Sequence, residues 1–271
     1  MAFAGNSVLC RYALKDEMID ASSFTAIRLI SGAVFLSLLL IIKGRGQFEW
    51  RAGNWSSSLF LFIYTVAFSF AYINLDTGVG ALILFGFVQV TMVFNNIAKG
   101  NKLRIMEWLG LLVAFSGLVL LLLPSASAPS LFGFILMAIS GVAWGFYTLA
   151  GKGAVSPTLL TGGNFLRTVP LVILMVLFNL ESVSISHEGV LLAVVSGAIT
   201  SGLGYAVWYA AINGLNITQA AVLQLTVPII ATFGGVLFSN ELISIQLLTS
   251  SLLVLGGILI VILGNRSKAN E

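Results

Sequence analysis

The sequence is poor in charged residues and in the residues that bind metals or form disulfides. Of its 271 residues only 8% are charged and 58% are hydrophobic, whereas a soluble domain carries about 25% charged residues. It has one cysteine, Cys10, and one histidine, His187 in a polar SHEG stretch. An intrachain disulfide and a His/Cys metal cluster are therefore excluded. The composition indicates an integral membrane protein, and the net charge of +3 is too dispersed to indicate nucleic-acid binding.

Groups on which enzymes and ATP-driven pumps depend are also missing. No Gly-Lys-Thr phosphate loop occurs, so ATP is not the direct energy source. No serine–base pair suggests a nucleophile. The acids Asp76, Glu107 and Glu241 fall in turns or at helix starts, so no mid-membrane carboxylate predicts a proton relay. We predict that the protein is not an enzyme and holds no cofactor or metal.

Apolar runs joined by short loops fill the chain. They cover residues 1–14, 22–42, 55–75, 77–97, 106–123, 130–150, 158–180, 190–211, 217–238 and 245–264. A helix needs about 20 apolar residues to span a bilayer core of about 30 Å. The first run rises only about 21 Å, so helix one is predicted to be partial or to start upstream of Met1. The predicted fold class is an all-α polytopic membrane protein with ten transmembrane helices, the first one short.

The placement of basic residues predicts the orientation. If the loops alternate sides, one side holds Lys43, Arg45, Arg51, Lys99, Lys102, Arg104, Lys152, Arg266 and Lys268. The other side holds Lys15 among seven acids. By the positive-inside rule, the basic loops and both termini face the cytoplasm of the plasma (inner) membrane, and residues 265–271 form a cytoplasmic tail.

The chain also contains an internal repeat. When the chain is shifted by 139 residues, Arg28 aligns with Arg167 and Gly117 with Gly256, without gaps from Arg28 to Leu120. Each unit holds five predicted helices, an odd number, so the second unit must enter the membrane inverted. The predicted units are 1–123 (helices 1–5) and 130–264 (helices 6–10). Inverted repeats of this kind are the architecture of secondary transporters, with the substrate near the repeat interface.

Polar residues inside the apolar runs indicate where a solute could bind. The run Ala220–Glu241 is interrupted by Gln224, Thr226 and Pro228. A proline frees a backbone carbonyl that must face protein or a wet cavity, so this helix should line a cavity. The predicted lining is formed by Gln224, Gln89, Trp144, Tyr147, Asn164 and Trp208.

Two arginines and a proline are interpreted as gating or structural residues, and two tyrosines as interfacial ones. Arg28 and Arg167 are predicted near the two mouths of the cavity. Each either gates or contacts a carboxylate, or is structural and ties neighbouring helices through carbonyls. Pro228 is placed in the same gating-or-structural group. Tyr72 and Tyr209, near span ends, are predicted to be interfacial belt residues.

These residues carry a family likeness. The stretch AAVLQLTVPIIATFGGVLFSNELIS resembles the fourth-helix motif of the EamA domain in the drug/metabolite transporter superfamily. The positions that match that motif are Ala220, Leu225, Pro228, Ala231, Gly235, Glu241 and Ser244. The Trp144-Gly145 pair and the arginines in FLR (165–167) and AIR (26–28) resemble other parts of the same domain. The first-repeat copy departs from the motif, with Gln89 for the proline and Lys102 for the acid.

The resemblance implies two tandem EamA domains that rock around a central cavity and export amino acids or related small metabolites. The implied partners are a small-molecule substrate and the lipid bilayer, and a homodimer is left open. Two alternatives are kept: a passive channel-like facilitator and a non-transporting membrane scaffold.

Overall fold

Most of the described residues form helices. A computed structural model describes residues 1–42, 52–100, 103–123, 128–179, 183–214 and 217–266, and for 217–222 and 265–266 it describes the backbone alone. The predicted tail beyond 266 and the bases Lys43, Arg45, Arg51, Lys102 and Lys268 lie outside those residues. The helices are α1 (Ala2–Lys15), α2 (Ala21–Ile42), α3 (Trp55–Tyr72), α4 (Thr77–Ala98), α5 (Ile105–Leu122), α6 (Leu131–Gly151), α7 (Pro157–Phe178), α8 (His187–Gly214), α9 (Ile217–Ser239) and α10 (Ile245–Arg266).

Eight helices within the described residues are long and apolar enough to cross a bilayer, namely α2 to α8 and α10. The predicted all-α membrane fold is therefore confirmed, and the protein is a multi-pass membrane protein. Helix α1 has 14 residues, and α9 contributes a shorter apolar stretch, Leu223–Ser239. The count of ten spans thus stays a prediction.

The helix starts follow from local hydrogen bonding. The side chains of Asn54 and Ser130 cap α3 and α6 by accepting from the backbone N–H groups of Ser57 (2.7 Å) and Gly133 (3.1 Å). Pro157 occupies the first position of α7, where its missing N–H costs nothing. Each of these signals was readable in the sequence.

Helix α8 contains a π-helical segment that the apolar pattern did not indicate. It spans Ser196–Leu203 and interrupts an otherwise continuous helix of 28 residues. Such wide turns re-aim side chains and frequently mark functional sites. Here the segment turns a series of hydroxyl side chains towards α1 and α2.

The helices of the two halves interleave. Helix α2 packs on α7 and α8, and α1 packs on α8 and α9. Helix α6 packs on α3 and α4, whereas α4 also contacts α9, and α5 pairs with α10. Nearly every large helix contact therefore joins one predicted unit to the other.

The prediction for Tyr72 and Tyr209 is wrong. Both side chains are buried, and their hydroxyl groups donate to the backbone oxygens of Thr77 (3.2 Å) and Tyr147 (2.8 Å). The rings fit because they face glycines: a Cβ on Gly80 would lie 2.5 Å from the Tyr72 ring. A tyrosine at a span end is interfacial only where no neighbouring helix covers it.

Adjacent glycines in α10 give a test of the α5–α10 packing. A Cβ on Gly257 would lie 2.4 Å from Ala114 N and 2.5 Å from Gly110 O, whereas one on Gly256 would meet nothing within 4 Å. Gly257→Ala should therefore lower the thermal stability of the detergent-solubilised protein by about 1–3 kcal/mol, because the helices must separate. Gly256→Ala should leave the melting temperature unchanged or slightly raised. Equal melting temperatures for the two variants would contradict this packing.

Candidate functional site

The guanidinium group of Arg28 occupies the centre of the buried polar interior. Its side chain is 0% exposed. Nε donates to Ser201 Oγ (3.0 Å), and Nη2 donates to the hydroxyls of Tyr64 (3.0 Å) and Tyr205 (2.8 Å). The group also lies 4.8 Å from the centre of the Phe68 ring, a cation–π distance. Arg28 is thus buried among the helices, where it joins α2 to α3 and α8; its position near a mouth of the cavity stays a prediction.

Asn6 of α1 extends this polar centre. Its Nδ2 donates to Ser201 Oγ and Tyr205 OH, both at 3.0 Å. Its Oδ1 accepts from Ser196 Oγ (2.6 Å) and Thr200 Oγ1 (2.8 Å). Ser196, Thr200 and Ser201 belong to the π-helical segment, so the wide turn builds most of this network. Asn6, Arg28, Tyr64, Ser201 and Tyr205 are called the Arg28 cluster below.

Aromatic rings cover the Arg28 cluster on one side. The centre of the Trp144 ring lies 4.6 Å from that of Tyr205 and 4.9 Å from that of Tyr64. Phe3 of α1 then bridges Trp144 (5.4 Å) and Trp208 (5.3 Å) in edge-to-face contacts. The predicted lining residues Trp144 and Trp208 therefore lie together, around a phenylalanine that the sequence did not single out.

Several donors in this region are buried without a partner. Within the part of the chain that the structure describes, nothing accepts a hydrogen bond from Arg28 Nη1, Trp144 Nε1 or Trp208 Nε1. The hydroxyl group of Tyr147 is likewise unpaired. Buried polar groups in proteins are nearly always hydrogen-bonded. A concentration of such exceptions therefore indicates a place where a ligand's acceptors could bind.

The two predicted glutamines contact each other. Gln89 Nε2 of α4 donates to Gln224 Oε1 of α9 at 3.3 Å, and both residues are buried. The bond joins the two predicted units at a second point. Pro228 lies one turn further along α9, where Thr232 Oγ1 donates to its carbonyl oxygen (2.9 Å).

The last two predicted site residues, Asn164 and Arg167, contact the segment that precedes α3. Asn164 Oδ1 accepts from Asn54 N (3.1 Å), and Arg167 Nη1 donates to the backbone oxygens of Ala52 and Gly163. Arg167 is half-buried and borders a surface cleft of about 340 Å³. The repeat-related arginines thus have different surroundings: Arg28 contacts hydroxyls and rings, and Arg167 contacts backbone carbonyls.

A second cluster of polar side chains lies near the C-terminal end of α1. Arg11 Nε lies 3.4 Å from Glu241 Oε1, and Nη2 lies 3.3 Å from Asp76 Oδ1. Its Nη1 donates to the carbonyls of Tyr72 (3.0 Å) and Ile73 (2.9 Å) at the end of α3. Glu241 in turn accepts from the backbone N–H and the hydroxyl of Thr77. Arg11, Asp76, Thr77 and Glu241 are called the Arg11–Glu241 cluster.

Local backbone features position Glu241. Asn240 has a φ of 50°, a left-handed conformation that asparagine tolerates, and it turns the chain after α9. The Glu241 carboxylate then lies against Gly235, where a Cβ would be 2.1 Å from Oε2. This contact explains the second glycine of the Gly-Gly pair. The sequence showed both the acid and the glycines but not Arg11 as their partner, because pairing between helices leaves no local pattern.

The Glu241 carboxyl has a shifted pKa. Burial raises this pKa above its ordinary value of 4.5, the nearby Asp76 charge adds to the rise, and hydrogen bonds from Thr77 oppose it. The closed cluster therefore binds a proton more tightly than an exposed Glu241 would. Its contribution to stability is greatest below pH 4.5 and falls as the pH rises through the raised pKa.

Both halves of the chain resemble known proteins. Residues 1–123 and 131–263 each match the EamA-like transporter family. The chain belongs to the EamA-like transporter family. The family resemblance seen in the sequence is thus confirmed, and the protein is a membrane transporter by family.

Curated relatives agree with this assignment. An uncharacterized protein of Pseudomonas aeruginosa is 47% identical over 269 residues, covering 99% of this chain and 93% of that protein. The uncharacterized transporter YoaV of Bacillus subtilis is 20% identical over 248 residues, 87% of this chain and 85% of its own length. A solved structure aligns with a TM-score of 0.70 at 19% identity, covering 98% of this EamA-like chain and 96% of the other. That likeness shows a shared fold.

The Arg11–Glu241 cluster can be tested with the native thiol of Cys10, which is 0% exposed and adjacent to Arg11. Glu241→Ala removes one of the acceptors of Arg11 and the acceptor of the Thr77 backbone N–H, so α1 should open more often. Labelling of Cys10 by a membrane-impermeant thiol reagent should rise by about tenfold, since the loss of one hydrogen bond to a charged group costs about 1.5–3 kcal/mol.

Glu107→Ala is the matched control. Glu107 is also a buried acid, but it accepts from Arg104 N within its own helix start. This variant should label like the parent protein. Unchanged protection of Cys10 in Glu241→Ala would show that the cluster does not hold α1 in place.

Proposed function

We propose that the protein is a secondary transporter in the plasma membrane that exports amino acids or related small metabolites by alternating access. The observation that carries this proposal is the buried polar centre built by both predicted units. Arg28 and Tyr64 come from the first unit, whereas Ser201 and Tyr205 come from the second. Transporters with inverted repeats bind substrate at this kind of interface.

The helix packing supports the proposed inverted repeat. An exchange of α1–α5 with α6–α10 should turn each helix contact into another contact of the same protein. It turns α3–α6 into α8–α1, and α4–α6 into α9–α1, and all four contacts are present. The α2–α7, α4–α9 and α5–α10 contacts each correspond to themselves. A two-fold pseudosymmetric arrangement requires these correspondences, and the two family matches support the division into 1–123 and 130–264.

A difference between the two repeats supports a gated mechanism. The Arg11–Glu241 cluster lies at the end that we propose to be extracellular. Its repeat equivalents are Ala150 and Lys102, which cannot form an ion pair. We propose that the cluster is the outer gate and that opening and closing it is coupled to protonation of Glu241. For Arg167 we propose a structural role, because its guanidinium group holds backbone carbonyls.

The function is tested by the direction of flux. Overexpression followed by analysis of the medium identifies which solutes leave the cell, and the purified protein is then reconstituted with such a solute. The proposal expects uphill export that an uncoupler abolishes. A passive facilitator would let the solute follow only its gradient, and a scaffold would give no flux.

The glutamine pair gives a site-directed prediction. Gln224→Ala removes the acceptor for Gln89 at the contact between units, so efflux of the identified solute should fall by about tenfold, the effect of one lost polar contact. Membrane abundance of the protein should remain normal.

Thr226→Ala is the control on the same helix. Thr226 is exposed, and its hydroxyl donates to Leu223 O of its own helix (2.6 Å). Its removal should leave efflux unchanged. If Gln224→Ala exports as fast as Thr226→Ala, the glutamine pair has no part in transport.

A further inference from the structure

The centre of the bundle contains a surplus of positive charge. The acids of the sequence lie in predicted loops, in the tail or in the first turn of a helix. The Arg28 guanidinium group is accordingly surrounded by hydroxyls and rings, and within the described residues its hydrogen-bond partners include no carboxylate. A buried charge is costly unless it is paired, so an anion bound here would be strongly favoured.

The same place contains a surplus of hydrogen-bond donors. Arg28 Nη1 and Trp144 Nε1 have no acceptor within the part of the chain that the structure describes. They are close neighbours, because the Trp144 ring packs on Tyr64 and Tyr205, whose hydroxyls accept from Arg28. Trp208 lies on the other side of the Phe3 ring from Trp144, and its Nε1 also has no acceptor among the described residues. Unpaired donors beside a cation suit a carboxylate.

The acceptors in this place are already used. Asn6 Oδ1 accepts from Ser196 and Thr200. A bound ammonium group would therefore be repelled by the Arg28 charge, and no carboxylate among the Arg28 contacts of the described chain would offset that repulsion. The rings of Phe3, Trp144 and Trp208 form an apolar surface beside the donors. The chemistry thus selects a solute with one anionic end and one apolar end.

Building on the transporter function proposed above, and narrowing its substrates to the metabolites that are not amino acids, we propose that the Arg28 cluster with Trp144 and Trp208 is a binding site for organic monocarboxylates that have an apolar body and no ammonium group. The carboxylate accepts from Arg28 Nη1 and Trp144 Nε1. The apolar body packs against the rings around Phe3. This assignment makes Arg28 the residue that selects for charge.

Three ligands that share one skeleton test the proposal by binding to the full chain in lipid nanodiscs. These are 3-phenylpropionate, its uncharged amide, and phenylalanine, which adds an α-ammonium group. The carboxylate should bind about tenfold more tightly than either of the others, as expected for a hydrogen bond to a charged group. Equal or tighter binding of the amide or of phenylalanine would overturn the assignment. Absence of detectable binding of 3-phenylpropionate would overturn it as well.

Variants locate the selectivity. Arg28→Gln should reduce the preference for acid over amide to about one, whereas Lys152→Gln, which removes an exposed base, should preserve it. Trp144→Phe retains a six-membered ring and loses the Nε1 donor together with the five-membered ring, so it should weaken binding of the acid a few-fold more than binding of the amide. This second variant and the ligand comparison in the parent protein decide the question even if Arg28→Gln does not fold.

The two proposals fail in different ways. A parent protein that exports an uncharged or zwitterionic solute uphill would retain the transporter function and refute the monocarboxylate site. A protein that binds 3-phenylpropionate selectively, yet moves no solute in either direction, would retain the site and refute transport.

Discussion

The buried guanidinium group of Arg28 is the constraint on which the interior of this protein depends. An uncompensated cation inside an apolar bundle is tolerated only if other groups solvate it. Ser201, Tyr64 and Tyr205 provide hydrogen bonds, and Phe68 provides a ring face. Because these residues come from α3 and α8, solvating one charge on α2 fixes how the three helices meet.

The same requirement explains the unusual form of α8. The π-helical segment Ser196–Leu203 presents hydroxyls to Asn6 and Arg28, and glycines within it let α2 approach. A Cβ on Gly197 would lie 2.1 Å from Arg28 O. At the other end of α1, Arg11 is paired with the carboxylates of Asp76 and Glu241. The two buried arginines are therefore stabilised differently: Arg11 has carboxylate partners, whereas Arg28 is bonded to hydroxyls and its Nη1 has no acceptor among the described residues.

Much of the fold was predictable from sequence because each helix carries its own signals. The apolar runs located the helices closely, and the largest shifts, of three residues, occur at the end of α3 and at both ends of α8. Of the candidate site, the sequence identified Gln89, Gln224, Trp144 and Trp208, which the structure buries and brings into contact with partners. It did not reveal the Arg11–Glu241 pairing, the role of Phe3 or the π-helical turn. These depend on which helix lies beside which, and no local pattern in a chain of apolar helices records that.

Alternating access around the Arg28 cluster is the central claim of this account. It is tested most directly by distances between spin labels in a Cys10→Ser background, with one pair at Glu17 and Leu242 and another at Lys99 and Lys152, all exposed positions. Two distances are expected for each pair. When an exported solute is added, the Glu17–Leu242 distance should lengthen as the Lys99–Lys152 distance shortens. A single unchanged distance for both pairs in the presence of such a solute would contradict it.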